Sequence, residues 1–527
     1  MITRGGCKIG SMRICLISRE YPPDTGWGGI ATFAKHLAHG LRDLGHDVEV
    51  VALAAGPAKT VEQEGITVHR VEPYAVEGDL GAVSMCMPYS RYVLRTTTGL
   101  WEKFFQLHSK NPFDVIDTPE LLAEGLMPAV TKVAPLLIRL YTPHSKFIAE
   151  KLHSVTPSFD HQFVAMLERV AMRAADVITS PSDDLAEFVS NDLNYPRELI
   201  QIVRNPIDPD VFTPEGAKEI PSDGRKTVLF VGRLEERKGI RYLVAAIPEI
   251  LKSYKNVRFV IIGDDTVNAE SKQTSVLAQL KDSLAKSKCI DSVQFINRVA
   301  LNSLPNYYRS ADICVVPSVY DNSPYTCLEA MACGRAVIGT SAGGTREYLI
   351  DGESGIIVPP RDAGALAQAV LSVLNDENEQ QRLAINARAR VLEKFQRKEI
   401  ARQTVELYKL AITRFRPESK MYLKDSSSCL ADADTLMYSF DKMMYDLLYQ
   451  ESIAFRFKHW GRLARRRPRL MGAKVLATVM RKLFLPFLPK KNRQSNMLNW
   501  LESEIKIKQK AAPKRELVAA GEPSKDP

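Results

Sequence analysis

Short apolar runs recur from Met12 to about residue 206, each followed by a loop and then by a segment with helical spacing; after a proline-rich break the rhythm starts again. RICLIS, a glycine-rich loop, ATFAKHLAHGLRDLG and VEVVAL read as strand, loop, helix and strand, and DVIDTPE, LLIRLYTPH and DVITSPS continue as strand ends that run into loops. Alternation of this kind builds a parallel sheet, whose strands are buried by helices on both faces. The second series is TVLFVGR, VRFVIIG, SVQFIN, DICVVPS and AVIGTS, and the intervening NPIDPDVFTPEG has the prolines and turn formers of a linker. The chain therefore reads as two doubly wound α/β halves facing a cleft, with ligands expected at the carboxyl edges of the strands.

Length supports that division, since 527 residues with 45% apolar and 25% charged content suffice for two or three cored domains. The expected parts are Rossmann-like halves over 12–206 and 207–395, a closing amphipathic helix over 396–415, a helical basic extension over 416–510 and a disordered tail over 511–527. Residues 1–11 read as a lead before a start at Met12. The eight cysteines are scattered without a CxxC pair or a His/Cys cluster, so neither a zinc site nor a disulfide framework is expected, and a reducing cytoplasm fits. ICLI is too short for a secretory core, and no window of 18 residues is free of charge.

The net charge of +9 is concentrated, because residues 453–501 hold thirteen Lys and Arg and no acid, leaving the remainder net negative. Ala473, Leu476, Met480, Leu483 and Phe484 share one helical face, with Lys474, Arg481 and Lys482 on the other. A basic amphipathic helix suits an anionic membrane surface, so residues 453–493 are expected to place a cytoplasmic protein peripherally on a membrane. A solvated appendage packed on the core is the plainer alternative. Nucleic acid is not expected, since no recognised module accompanies the basic residues.

The densest chemistry lies in PSVYDNSPYTCLEAMACG, residues 317–334. A buried strand ends near Pro317-Ser318, DNSP turns, and a helix begins near Tyr325, placing Asp321 and open amides before a helix N-terminus and Glu329 one turn inside it. Asn322, Ser323 and Pro324 form the turn. Such a site can take phosphate on its amides and sugar or ribose hydroxyls on its carboxylates. In VGRLEERKG, Arg233 follows a strand and Lys238 lies five residues on, so two cations can converge on one diphosphate. Gly28-Gly29 and Gly343-Gly344 are strand-to-helix turns where bare backbone can approach a ligand, the latter followed by Glu347. GRAVIGTS lacks the lysine of a phosphate-binding loop. Asp208-Pro209-Asp210 and Asp432-Ala433-Asp434 do not end apolar strands, so neither reads as a metal-chelating DxD, and no metal or cofactor is expected. Each motif alone also fits a solvated loop, an ordinary turn or a surface acid.

Taken together, GRLEERKG, the acidic pair with EAMACG, and GGTREYLIDGESGIIVPP resemble a glycosyltransferase of the GT-B fold, of the large retaining family 4, over roughly residues 12–412. The family usually has Glu where this chain has Asp321. The resemblance implies an acceptor-side first half and a nucleotide-sugar-binding second half. It implies that Arg233 and Lys238 bind the donor diphosphate, that Asp321 contacts the donor sugar and that Glu329 holds the ribose. It further implies donor contacts from Gly28, Gly29, Asn322, Ser323, Pro324, Gly343 and Gly344, and a hydrogen bond from His144 to the transferred sugar; Glu120 sits on the same edge, facing the acceptor. The expected reaction is metal-independent transfer, with retention, from a nucleotide-diphosphate sugar to a hydroxyl on a glycan or lipid-linked intermediate. A catalytically idle scaffold, a sugar-nucleotide epimerase and a glycan phosphorylase are the alternatives; the last ordinarily needs a pyridoxal-bearing lysine that is not evident.

Overall fold

The computed structural model describes residues 10–26, 28–75, 87–151, 158–266 and 275–417. The expected basic extension, terminal tail and membrane-facing segment 453–493, with Asp432-Ala433-Asp434, lie outside the described residues.

The first half is an eight-stranded sheet of β1 (Arg13–Ile17), β2 (Asp47–Leu53), β3 (Lys59–Gln63), β4 (Ile66–Val71), β5 (Val115–Pro119), β6 (Leu136–Arg139), β7 (Val177–Ser180) and β8 (Ile200–Ile202). Its order is β3-β4-β2-β1-β5-β6-β7-β8, parallel throughout except for the antiparallel β3–β4 pair. The second half carries β9 (Lys226–Val231), β10 (Val257–Ile262), β11 (Val293–Ile296), β12 (Ile313–Val316), β13 (Ala336–Thr340) and β14 (Ile356–Val358), in the all-parallel order β11-β10-β9-β12-β13-β14. Apolar runs such as ICLI in β1 and ICVV in β12 are buried along their whole length because helices cover both faces.

Several elements lie outside the sequence reading, the edge strands β8 and β14 among them. The β3–β4 hairpin turns at Glu64-Gly65, both at positive φ, and its edge strand is too polar to stand out as an apolar run. The helix Pro88–Lys110 covers the first sheet with Val93, Leu100 and Phe104.

Sheet order fixes where the functional loops gather. The chain leaves β1 toward β2 on one side and β5 toward β6 on the other, and likewise leaves β9 toward β10 and β12 toward β13 in opposite directions. The crevice at such a reversal is where doubly wound sheets bind ligands. The loops after β9 and β12 are GRLEERKG and PSVYDNSP. Those after β1 and β5 carry Gly28-Gly29 and Glu120.

The closing helix, Arg397–Arg414, returns to the first half. Ala401, Val405, Tyr408 and Ala411 complete the core under Leu37, Leu41 and Val50, and a Cβ on Gly40 of the helix Gly29–Asp43 would come within 2.6 Å of the Arg397 carbonyl oxygen. Tyr408 donates to Asp117 Oδ2 at 2.8 Å, and the Arg139 guanidinium reaches the same oxygen at 2.7 Å.

Candidate active site

The cationic loop is held against the acidic turn by backbone, which makes their meeting a property of the fold. Gly239 has φ +68, and a Cβ there would lie 1.7 Å from the carbonyl oxygen of Pro317. Only glycine permits that approach. The Val319 amide donates to the Arg237 carbonyl at 2.8 Å, tying the two loops directly. Lys238, in the short 3-10 turn Glu236–Lys238, is thereby carried onto Asp321, with Nζ paired to Oδ2, while Arg237 Nη1 lies 3.2 Å from Oδ1. Burial alone pushes the Asp321 carboxyl up, but the two cations outweigh it and hold it at about 2. Arg233 points outward, its side chain 56% exposed, 3.2 Å from a Glu235 carboxylate that also takes Arg237 at 2.8 Å.

Glu329 lies on the helix Tyr325–Ala332 and is buried, with the Tyr308 hydroxyl donating to Oε2 at 2.7 Å. Burial pushes its carboxyl up to about 7, against the hydrogen bond from Tyr308 and the charge of Lys238. One oxygen of a carboxyl that titrates near neutrality is therefore satisfied by protein, and Lys238 is common to both acids of the motif.

The Asn322 side chain reaches the first half, donating through Nδ2 to Thr142 Oγ1 at 2.6 Å and to the Tyr141 carbonyl. Ser323 Oγ meets the Tyr348 hydroxyl, its carbonyl accepts from Asn205 Nδ2 at 3.0 Å, and Pro324 precedes the helix as its cap residue. Gly343 has φ +57, and Cβ atoms on Gly343 and Gly344 would fall 2.1 and 2.0 Å from the carbonyl oxygens of Asp321 and Asn322. The Gly344 amide donates to Asp321 O at 2.9 Å. This glycine pair therefore serves as the floor on which the acidic turn lies.

From the first half, Gly28 caps the helix Gly29–Asp43 without a side chain, leaving its first-turn amides open to a ligand. Gly29 faces the Tyr325 ring, which a Cβ would meet at 3.6 Å. His144 starts the helix His144–Lys151, buried against Tyr89 and Phe147 at ring separations of 5.2 and 5.4 Å, with its amide on Glu168 Oε2 at 2.6 Å. The Glu120 carboxylate is sealed and does not face the cleft: both oxygens accept from the Tyr141 amide at 2.8 Å, and burial raises it to about 8 despite those backbone donors.

The structure thus gathers Lys238, Asp321, Glu329, Asn322–Pro324 and Gly343-Gly344 around one turn, with Gly29 against Tyr325 of the helix that follows it, while Arg233 is exposed and pairs with Glu235 of its own loop. Sequence reasoning missed Arg237, whose signal was its place inside GRLEERKG, and Tyr308, for which the sequence offered none. It also missed Glu347 as a bridge: its carboxylate accepts from the Asp183 amide at 3.0 Å and pairs with Arg204. Among the described residues, no group of three His, Cys, Asp or Glu side chains is placed to hold a metal, and no helix is long and apolar enough to cross a membrane.

Two doubly wound halves with cations and acids converging where the second sheet's connections reverse define a GT-B glycosyltransferase. Residues 28–206 match the glycosyl transferase 4-like domain and residues 213–390 match glycosyl transferases group 1, and the chain belongs to this group 1, family 4 class. An uncharacterised glycosyltransferase of Methanocaldococcus jannaschii is 28% identical over 410 residues, covering 76% of this chain and 99% of that protein. Among solved structures, sucrose-phosphate synthase from Thermosynechococcus elongatus is similar with a TM-score of 0.62 at 24% identity, covering 76% of this chain and 99% of that one. HepE of Anabaena, in complex with UDP-glucose, has a TM-score of 0.56 at 19% identity, covering 76% and 99%.

Proposed function

We propose that this glycosyltransferase moves a sugar from a nucleotide-diphosphate donor to a hydroxyl of a glycan or lipid-linked acceptor, with retention and without a metal. The observation that carries the reading is the placing of Lys238 against Asp321, with its charge felt by Glu329, while Arg233 stands exposed on the same loop as Lys238. Arg233 and Lys238 neutralise the diphosphate as it departs, a role in which loss of one fixed donor typically costs about 10²–10³ in rate. Asp321 faces the transferred sugar, Glu329 accepts from the ribose, and the glycine-flanked turns supply backbone amides. From the first half the Gly28-Gly29 loop adds donor contacts and His144 a hydrogen bond to the transferred sugar, with Glu120 behind them holding Tyr141.

In the transfer, the bond from the anomeric carbon to the phosphate oxygen breaks and the acceptor oxygen bonds to that carbon on the same face. The departing phosphate takes the hydroxyl proton. HepE's complex with UDP-glucose favours UDP as the donor nucleotide. The five described cysteines are all free thiols, in keeping with a cytoplasmic setting, and the basic segment 453–493 would bring the enzyme to an anionic membrane.

The test is a thermal-shift panel of UDP-, GDP- and ADP-sugars in EDTA, repeated on Lys238→Ala. A rise in Tm with one donor that the variant loses supports a metal-independent donor site and names its base. A rise that depends on added metal, or that survives in the variant, overturns the reading.

A further inference from the structure

The chain between β1 and the helix Gly29–Asp43 approaches its glycines through Tyr21-Pro22-Pro23-Asp24-Thr25, where the two prolines contribute no amide hydrogen. Carbonyls of such a stretch need donors from elsewhere, and two of them find one residue of β4. The Arg70 guanidinium, buried with its whole side chain, forks across successive carbonyls: Nη1 donates to Tyr21 O at 2.7 Å and Nη2 to Pro22 O at 3.0 Å. Nη1 also lies 3.2 Å from Thr25 Oγ1, which accepts from the Tyr21 amide at 3.1 Å and closes the loop on itself. Asp24 Oδ2 lies 3.8 Å from Arg70 Nε and 2.7 Å from Lys59 Nζ, so both strands of the β3–β4 hairpin hold the loop.

Packing alone does not call for arginine here. A buried guanidinium loses its hydration, and an apolar chain of the same length would fill the space without that cost. Asp24, the carboxylate that faces it, is shared with Lys59. What the guanidinium adds is a fixed place for two carbonyls, because its planar fork holds both at once where an ammonium is a single point of charge. A few residues on, Gly28 caps the helix with its first-turn amides open. Amides recognise a phosphate only while they converge on it, so a shift of the loop reads out as phosphate affinity.

We infer that Arg70 is a positioning residue: acting through the carbonyls of Tyr21 and Pro22, it aims the Gly28-Gly29 turn at the outer phosphate of the donor. This rests on the donor reading above and extends it to a buried side chain that touches no ligand. Because Arg70 acts on one phosphate, it separates two ligands that share a base. The nucleoside monophosphate lacks the outer phosphate and is indifferent to Arg70, whereas the diphosphate depends on it.

Full-length wild type, Arg70→Met, Arg70→Lys and Asp24→Ala are titrated calorimetrically with the mono- and diphosphates of uridine, guanosine and adenosine, and the Tm of each protein is recorded. Met fills the space without donors, Lys keeps the charge without the fork, and Asp24→Ala loosens the same loop from its partly exposed side. The inference expects diphosphate affinity about tenfold lower in Arg70→Met, the loss of one phosphate hydrogen bond, and about threefold lower in Arg70→Lys and Asp24→Ala. Monophosphate affinity stays within about twofold of wild type in all three. Should Arg70→Met fail to fold, the other two variants carry the decision. Diphosphate affinity equal to wild type in the folded variants overturns the inference, as does an equal fall for both ligands, which marks a general loosening of the fold. A wild type that binds no nucleotide overturns the donor reading and this inference with it.

Discussion

Replacing Asp321 by asparagine keeps the shape of the side chain and removes its charge. The carboxyl is held at about 2 in place of an ordinary 3.8, because Lys238 and Arg237 outweigh the burial that would raise it. At about 1.4 kcal/mol per pKa unit that difference is worth about 2–3 kcal/mol. The two cations are 18% and 27% exposed, and solvent screening reduces the figure to about 2 kcal/mol. Since the folded value lies below the unfolded one, this stability is present above about pH 4 and disappears as the pH falls through about 2. Asp321→Asn should therefore lower the free energy of unfolding by about 2 kcal/mol at pH 7, read from urea denaturation by far-UV circular dichroism, with the gap narrowing below pH 4. The same change releases two cations from their counter-ion, so UDP should bind about threefold tighter, or more, while turnover falls. Unaltered stability at pH 7, or weaker UDP binding, would refute the reasoning.

Glu329 titrates near neutrality, its carboxyl raised by burial, and the proposed contact with ribose hydroxyls draws on its ionised form as an acceptor. Calorimetric affinity for the nucleoside diphosphate should rise about tenfold from pH 6 to pH 8 in wild type and stay flat in Glu329→Gln. A raised acid has the opposite stability sign to Asp321, so the ligand-free protein loses stability as the pH rises from the unfolded value toward 7, and the Gln variant is spared that loss. Gly343→Ala adds a Cβ at φ +57, 2.1 Å from Asp321 O, and should cost about 3 kcal/mol of stability and most of the turnover, measured by denaturation and donor consumption.

The strands around the two sheet reversals were legible because burial on both faces leaves apolar runs such as ICLI and ICVV. The hairpin Lys59–Val71 was not, since its polar edge strand needs only one covered face. For the site, spacing placed Asp321 and Glu329 correctly on a turn and a helix, and adjacency brought Lys238 to them. Burial could not be read in the same way. Glu120 stands at a strand end like a cleft residue, yet its carboxylate is consumed by the Tyr141 amide. Nor does spacing reveal that the Asn322 side chain crosses to Thr142, a partner 180 residues away.

The two segments that pass between the halves run side by side. The Ile207 amide donates to Phe395 O at 2.8 Å, and the Arg397 amide to Ile207 O at 3.0 Å. Beyond that stitch the last described helix belongs to the first core, with Tyr408 on Asp117. The modular unit of this chain is therefore an insertion, residues 207–396, set into a parent domain that both precedes and follows it. A chimaera that exchanges everything after residue 206 with a relative would import a foreign helix into the parent's core. One cut on both sides of the stitch would exchange the second half and leave the first half whole.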